Sequence, residues 1–69
     1  MEIKYYENNN EFSFDVKKIF VRNYENKLNV EVVYNYNSRY SLDYEKSVYF
    51  EKIPTLEEII NTIREQENH

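Results

Sequence analysis

The chain has 69 residues, enough for one small domain spanning residues 1–69, and its 9 basic and 13 acidic side chains give a net charge of −4. It contains no Cys and no Gly, and its single His is His69. Zinc and iron–sulfur centres, disulfide frameworks, glycine-rich phosphate loops and imidazole-based catalysis therefore lack the residues that they need. We expect no enzymatic activity and no cofactor.

The N-terminal part of the chain predicts a β-hairpin. An extended segment at about residues 2–6 places Ile3 and Tyr5 on one side, and a second extended segment covers about residues 11–22. Three consecutive Asn residues, 8–10, separate the two segments. Asn adopts positive φ more readily than other non-glycine residues do, so this run predicts a tight turn.

The second segment changes its apolar phase part-way along. Even-numbered positions are apolar up to Val16, whereas Ile19 and Val21 are odd-numbered. The doublet Lys17-Lys18 therefore predicts a bulge or a bend at this point. The alternative is a strand whose two faces are both apolar beyond Lys18.

Two further strands are predicted at about residues 28–36 and 40–50. Residues 23–27 are predicted to form the turn before the third strand. Asn37 and Ser38 are predicted to form the short turn between the third and fourth strands. Both strands alternate apolar and polar residues, as half-buried strands do, although Lys46 interrupts the apolar side of the fourth.

A helix is predicted at about residues 55–66, after Pro54. Thr55 and Glu58 have the spacing of a capping box, in which each side chain bonds to the backbone N–H of the other residue. One apolar stripe follows at helical spacing: Leu56, Ile59, Ile60 and Ile63. The sequence therefore predicts an α+β fold of the ββββα type, in which a four-stranded, mostly antiparallel β-meander carries one C-terminal amphipathic helix on one face.

Such a helix offers too few apolar side chains to cover a sheet of this size. The surplus predicts contact with a partner protein or with a second copy of the chain, so a homodimer is an open alternative. Tyr side chains suit such contacts, because they give rigid amphipathic area at low entropy cost. Tyr6 and Tyr49 fall opposite the core face and Tyr24 falls in a turn, so we predict that these three residues bind a partner.

Acidic residues cluster on the polar side of the third and fourth strands, namely Glu31, Asp43 and Glu45. They are either a solvated surface or a negative face that docks into the basic groove of another protein, with electrostatic steering of association. We predict partner binding for these three acids as well. Their oxygens would suit Mg²⁺ or Ca²⁺, but no ligand loop completes such a site, so no metal is expected.

Direct binding of single-stranded nucleic acid is a further alternative. It would use Tyr residues together with the one cationic cluster, Lys17, Lys18 and Arg22. The excess of acidic side chains argues against it, because neutralisation of phosphates supplies most of the affinity in such complexes.

The leading prediction is a small, acidic, non-catalytic protein-binding module. The abundance of Asn, Lys, Ile, Tyr and Phe is typical of very AT-rich genomes, which favours a phage or mobile-element inhibitor that occludes a nucleic-acid-processing protein, of the anti-CRISPR or anti-restriction type. The alternative from another class is a self-assembling structural or accessory subunit. No apolar run is long enough to span a membrane and no signal peptide is recognisable, so the expected location is the cytoplasm of a bacterial host.

Overall fold

The computed structural model describes residues 1–37 and 45–67 of the chain. Four strands form one antiparallel sheet in the order β1-β2-β3-β4, and a helix follows them. The elements are β1 (Glu2–Glu7), β2 (Asn10–Tyr24), β3 (Lys27–Asn37), β4 (Glu45–Phe50) and α1 (Leu56–Glu67). The predicted ββββα architecture is confirmed. The first part of the predicted fourth strand, residues 40–44, lies outside the described residues.

The two hairpins that join β1 to β2 and β2 to β3 close through two-residue turns with positive φ. Asn8 and Asn9 have φ values of 52° and 63°, and Glu25 and Asn26 have values of 49° and 63°. Positive φ at both turn residues is characteristic of type I′ turns, whose backbone twist matches that of the flanking strands. Asn fills three of these four positions, as expected in a chain without glycine.

The second turn is shorter than the predicted turn at residues 23–27. β2 continues to Tyr24 and β3 begins at Lys27, so Tyr24 ends a strand where the sequence predicted a turn residue. Glu25 adopts positive φ in this turn, although its side chain is not one of those that favour this region.

We expect the variant Glu25→Gly to be more stable by about 0.5–1 kcal/mol, because glycine adopts positive φ without steric cost. The variant Glu25→Ala removes the same charge but keeps the Cβ atom, and it should show no such gain. Urea unfolding followed by circular dichroism measures both values. Equal stability changes in the two variants would contradict the assignment of strain to this position.

The predicted bulge in β2 is confirmed. The register between β2 and β3 shifts between Val16 and Lys18, which makes Lys17 the extra residue. Beyond the bulge, Ile19 and Val21 face the same side of the sheet as the buried valines of β3 with which they pair. One inserted residue thus converts the even-numbered apolar phase into an odd-numbered one.

The core is a single layer between α1 and the sheet. Ile59 and Ile63 are the buried residues of the helix. They pack against buried side chains from all four strands: Ile3, Phe14, Val30, Val32, Tyr34 and Val48. Leu56, the first residue of the predicted helical stripe, is 52% exposed and stands outside this core.

The capping box predicted at the start of α1 is present. The backbone N–H of Glu58 donates to Thr55 Oγ1 at 3.2 Å, and the backbone N–H of Thr55 donates to Glu58 Oε1 at 3.3 Å. Lys52 Nζ also lies 2.8 Å from Glu58 Oε2. The Lys52 ammonium, and then the backbone N–H of Thr55, hold the pKa of Glu58 below its usual value. The helix therefore begins where its backbone donors are satisfied.

A buried polar cluster holds the other end of α1. The fully buried Tyr34 donates its hydroxyl to Glu67 Oε1 at 2.7 Å and accepts a hydrogen bond from Gln66 Nε2 at 2.6 Å. Lys46 Nζ lies 2.9 Å from the same carboxylate, whose side chain is only 6% exposed. Lys46, which interrupts the apolar side of β4, thus forms an ion pair with Glu67 in the last turn of α1.

We expect Tyr34→Phe to lower the free energy of unfolding by about 1–3 kcal/mol, because it removes the hydrogen bond from the buried Tyr34 hydroxyl to the Glu67 carboxylate, whose side chain is only 6% exposed. The control is Lys52→Ala, which breaks an exposed ion pair and should cost less than about 1 kcal/mol. Urea unfolding compares the two variants. Equal losses would show that the buried cluster does not anchor the helix.

The molecule is elongated, with principal extents of 42 × 22 × 22 Å. Among residues 1–37 and 45–67, β1 pairs with β2 between Asn10 and Asp15, and β4 pairs with β3 between Val30 and Asn35. The far part of the β2–β3 hairpin therefore projects beyond its neighbouring strands. Among the described residues, no helix has the length and apolar character needed to cross a membrane.

Candidate interaction surface

The face of the sheet opposite α1, here called the open face, carries an ordered row of side chains. Strand register places Phe20, Glu31 and Tyr49 side by side across β2, β3 and β4. Arg22 and Tyr24 follow Phe20 along β2 at spacings of two, so they lie on the same face. We call these five residues the distal patch. Its aromatic members are 40%, 62% and 73% exposed for Phe20, Tyr49 and Tyr24.

Glu31 is the centre of the distal patch. Its Oε1 accepts a hydrogen bond from Arg22 Nη1 at 3.0 Å, and its Oε2 accepts from Ser47 Oγ at 2.8 Å and from Tyr49 Oη at 3.4 Å. The Ser47 hydroxyl, and then the Arg22 guanidinium, hold the pKa of Glu31 below its usual value. The guanidinium carbon of Arg22 lies 5.3 Å from the centre of the Phe20 ring, within reach of a cation–π contact. One carboxylate on β3 thus orients side chains from the two neighbouring strands, β2 and β4.

The three acids predicted to bind a partner have different settings. Glu31 is only 17% exposed and has both oxygens engaged within the molecule. Glu45 is exposed on the open face, where it pairs with Asn35 of β3. Asp43 lies outside the described residues. Glu31 therefore organises the surface, and Glu45 is the described acid of this set that is open to a partner.

The structure brings together two of the three predicted tyrosines. Tyr24 and Tyr49 line one open groove of about 800 Å³ between the β2–β3 turn and the end of β4. Tyr6 is 71% exposed but lies on β1, opposite Glu11 of β2. Tyr24 is thirteen residues further along β2 than Glu11, which is roughly 40 Å at about 3.3 Å per residue.

The sequence interpretation missed Phe20 as a member of this surface. The signal was available, because a bulge at Lys17 gives Phe20, Arg22 and Tyr24 a common face once the phase has changed. The contact of Arg22 with Glu31 could not be predicted from the sequence, because it depends on the register between β2 and β3.

The predicted cationic cluster is divided by its own ion pairs. Lys17 Nζ lies 3.0 Å from Asp15 Oδ2, and Arg22 Nη1 lies 3.0 Å from Glu31 Oε1. Lys18 is exposed on the open face. Two of the three cations thus have acidic neighbours that reduce their attraction for phosphate groups.

Within residues 1–37 and 45–67, no three His, Cys, Asp or Glu side chains come together as a metal site would require. Comparison with known proteins gave no match to a family model, to a curated protein or to a solved structure.

We expect Ser47→Ala to raise the pKa of Glu31, because it removes the hydrogen bond that lowers this pKa most. Since folding lowers the pKa below the ordinary value of 4.5, the stability from Glu31 is complete above that pH and is lost as the pH falls through the folded-state pKa. Ser47→Ala should therefore lose less stability on acidification than the unsubstituted chain does.

The measurement is an NMR titration of the Glu31 carboxyl carbon, combined with urea unfolding at several pH values. Ser13→Ala is the matched control, because Ser13 is a half-buried serine on the same face that pairs with Asn37 and not with the patch. An unchanged Glu31 titration in Ser47→Ala would contradict the assigned network.

Proposed function

We propose that this chain is a non-catalytic protein-binding module that contacts its partner through the distal patch. The observation that carries the proposal is the group of three exposed aromatic side chains, Phe20, Tyr24 and Tyr49, beside an Arg–Glu pair. Tyr and Arg are the residue types that most often dominate the energy of protein interfaces. Groups already held in place also lose less conformational entropy on binding.

The position of the patch supports insertion into a concave partner. It lies toward the projecting end of the β2–β3 hairpin in a molecule 42 Å long and 22 Å wide. The groove shared by Tyr24 and Tyr49 would receive a protruding side chain of that partner. Residues that dominate interface energy cluster in pockets that lose their water on binding, and an open groove lined by tyrosines can become one when a partner covers it.

In its specific form, the proposal is an inhibitor from a phage or mobile element that occludes a nucleic-acid-processing protein in the bacterial cytoplasm. The net charge of −4 supports this form, because an acidic chain is steered toward the basic grooves that bind nucleic acids. The small size of the chain and an amino-acid composition typical of AT-rich genomes support this form as well. The exposed Glu45 is the described acid best placed to contribute on the open face.

A pull-down from bacterial lysate, with and without nuclease and read by mass spectrometry, identifies the partner. We expect a stoichiometric protein that is retained after nuclease treatment. Recovery that depends on nucleic acid would instead favour direct single-strand binding through the aromatic residues and Lys18. A bait that captures nothing would count against a protein partner in that lysate.

The decisive experiment measures affinity for the identified partner by calorimetry. The double variant Tyr24→Ala/Tyr49→Ala should weaken binding by about 10- to 100-fold, because each tyrosine is placed as an interface anchor. Tyr6→Ala is the matched control, since Tyr6 is equally exposed but lies at the other end of the sheet. Equal losses of affinity in Tyr24→Ala/Tyr49→Ala and in Tyr6→Ala would contradict the proposal.

The charge component is tested separately with Glu45→Lys. If acidic steering contributes, this variant should slow association and reduce the dependence of the association rate on salt. An unchanged rate at every salt concentration would remove the electrostatic part of the proposal and leave the aromatic part intact.

A further inference from the structure

The projecting half of β2 has an edge that no described strand covers. The β1 side of β2 is occupied up to Val16, whose N–H donates to the carbonyl oxygen of Met1 at 2.9 Å. The Met1 ammonium donates back to the Val16 carbonyl at 3.0 Å. Beyond the bulge, residues 18–24 pair with β3 on one side only, within the described part of the chain.

Backbone groups of three residues point toward this edge. Tyr24 and Lys27 flank a two-residue turn and bond to each other, so Tyr24 faces β3. Hydrogen-bonding directions alternate along a strand. Counting back from Tyr24, the N–H and C=O groups of Ile19, Val21 and Asn23 therefore point away from β3 and toward the open edge.

The side chains on this edge are unusually apolar for an exposed strand. Ile19, Phe20 and Val21 are consecutive, and they are 53%, 40% and 57% exposed. Ile19 and Val21 lie on the helix side of the sheet and Phe20 lies on the open face. An exposed edge with β-branched and aromatic residues is a template for another strand.

We propose that this edge pairs with the same edge of a second copy, antiparallel and centred on Val21, to form a dimer with one continuous eight-stranded sheet. Val21 would then lie opposite Val21 of the second copy, and Ile19 opposite Asn23 of the second copy. Such a two-fold contact uses the same surface on both copies and closes, so it gives a dimer and not a fibre.

Charge complementarity selects this register. With Val21 on the two-fold axis, Lys18 faces the second copy's Tyr24 and Arg22 faces the second copy's Phe20, so each cation lies beside an aromatic ring. The smallest shift that keeps the outward backbone groups opposed is two residues. In one direction this shift brings Arg22 opposite Lys18, and in the other it brings Arg22 opposite a second Arg22, which is repulsive.

The ends of the paired segment agree with this register. Glu25, in the exposed turn after β2, comes level with Lys17 of the second copy. It also approaches the Met1 ammonium, which marks the point where β1 begins to occupy the edge. The two copies thus meet over residues 18–24 with an acid and cations at each end of the contact.

This inference goes beyond the proposed function, and each can fail alone. Tyr24 takes part in both contacts, because it faces Lys18 of the second copy. Tyr49→Ala therefore tests the partner contact alone, since Tyr49 lies on β4, and Val21→Lys tests the dimer contact alone. Since the two-fold axis is perpendicular to the sheet, both helices lie on one side of the dimer and both open faces on the other. The dimer would therefore present two copies of the distal patch on one surface.

The test uses single cysteines, since the chain has none of its own. In Val21→Cys, the two Cα atoms across the axis would be about 5.5 Å apart, which a disulfide can bridge. Oxidised glutathione as the oxidant should therefore convert this variant to a covalent dimer. Ile19→Cys is the matched control, because its two copies would be offset by roughly 13 Å along the strand and cannot be bridged.

Sedimentation of the unsubstituted chain completes the test. A mass near twice the 8.6 kDa of the chain, together with crosslinking of Val21→Cys and not of Ile19→Cys, is the expected result. Val21→Lys should shift the protein to monomer, whereas Ile53→Lys, a similarly exposed site after β4, should not. Circular dichroism confirms that each variant is folded.

Two results would overturn the proposal. The first is a monomer at every concentration, which would leave the edge to a strand of a different protein. The second is equal crosslinking of both cysteine variants, which would indicate collisions or another register.

Discussion

In the part of the chain that the structure describes, one helix covers the four-stranded sheet, and that constraint decides which side chains are core and which meet solvent. The helix has 12 residues and buries two of them, Ile59 and Ile63. It can therefore protect only the part of the sheet that lies directly beneath it. The open face and the projecting hairpin follow from this limited cover, and so does the exposure of Ile19 and Val21 on the helix side.

Polar side chains compensate for this limited cover at specific places. Tyr34 is large enough to fill the core, and its hydroxyl reaches the end of the helix. Lys46 and Glu67 neutralise each other at the same end. On the open face, Val33 is 7% exposed although α1 lies on the opposite face, and in the register it lies between Lys18 and Ser47. Neighbouring side chains thus shield Val33 from solvent on the face that α1 does not cover.

Local patterns predicted much of this fold. The Asn turn, the bulge at Lys17 and the capping box at Thr55 each depend on residues close together in the chain, so the sequence contains the whole signal. The network around Glu31 was not predictable, because its donors come from two other strands and their alignment depends on register. The exposure of Tyr24 and Tyr49 agrees with alternation, but their shared groove depends on where two strands end.

The meander order has a consequence for how the chain reaches this structure. Each strand pairs with its neighbour in sequence, so the sheet can assemble by closing one short loop after another. Such local topologies fold faster than those built from distant pairings. The contact between Tyr34 and Glu67 spans 33 residues and joins the end of the helix to β3. We therefore expect the helix to dock after the hairpins have formed, and until it docks the apolar face of the sheet is open to other chains.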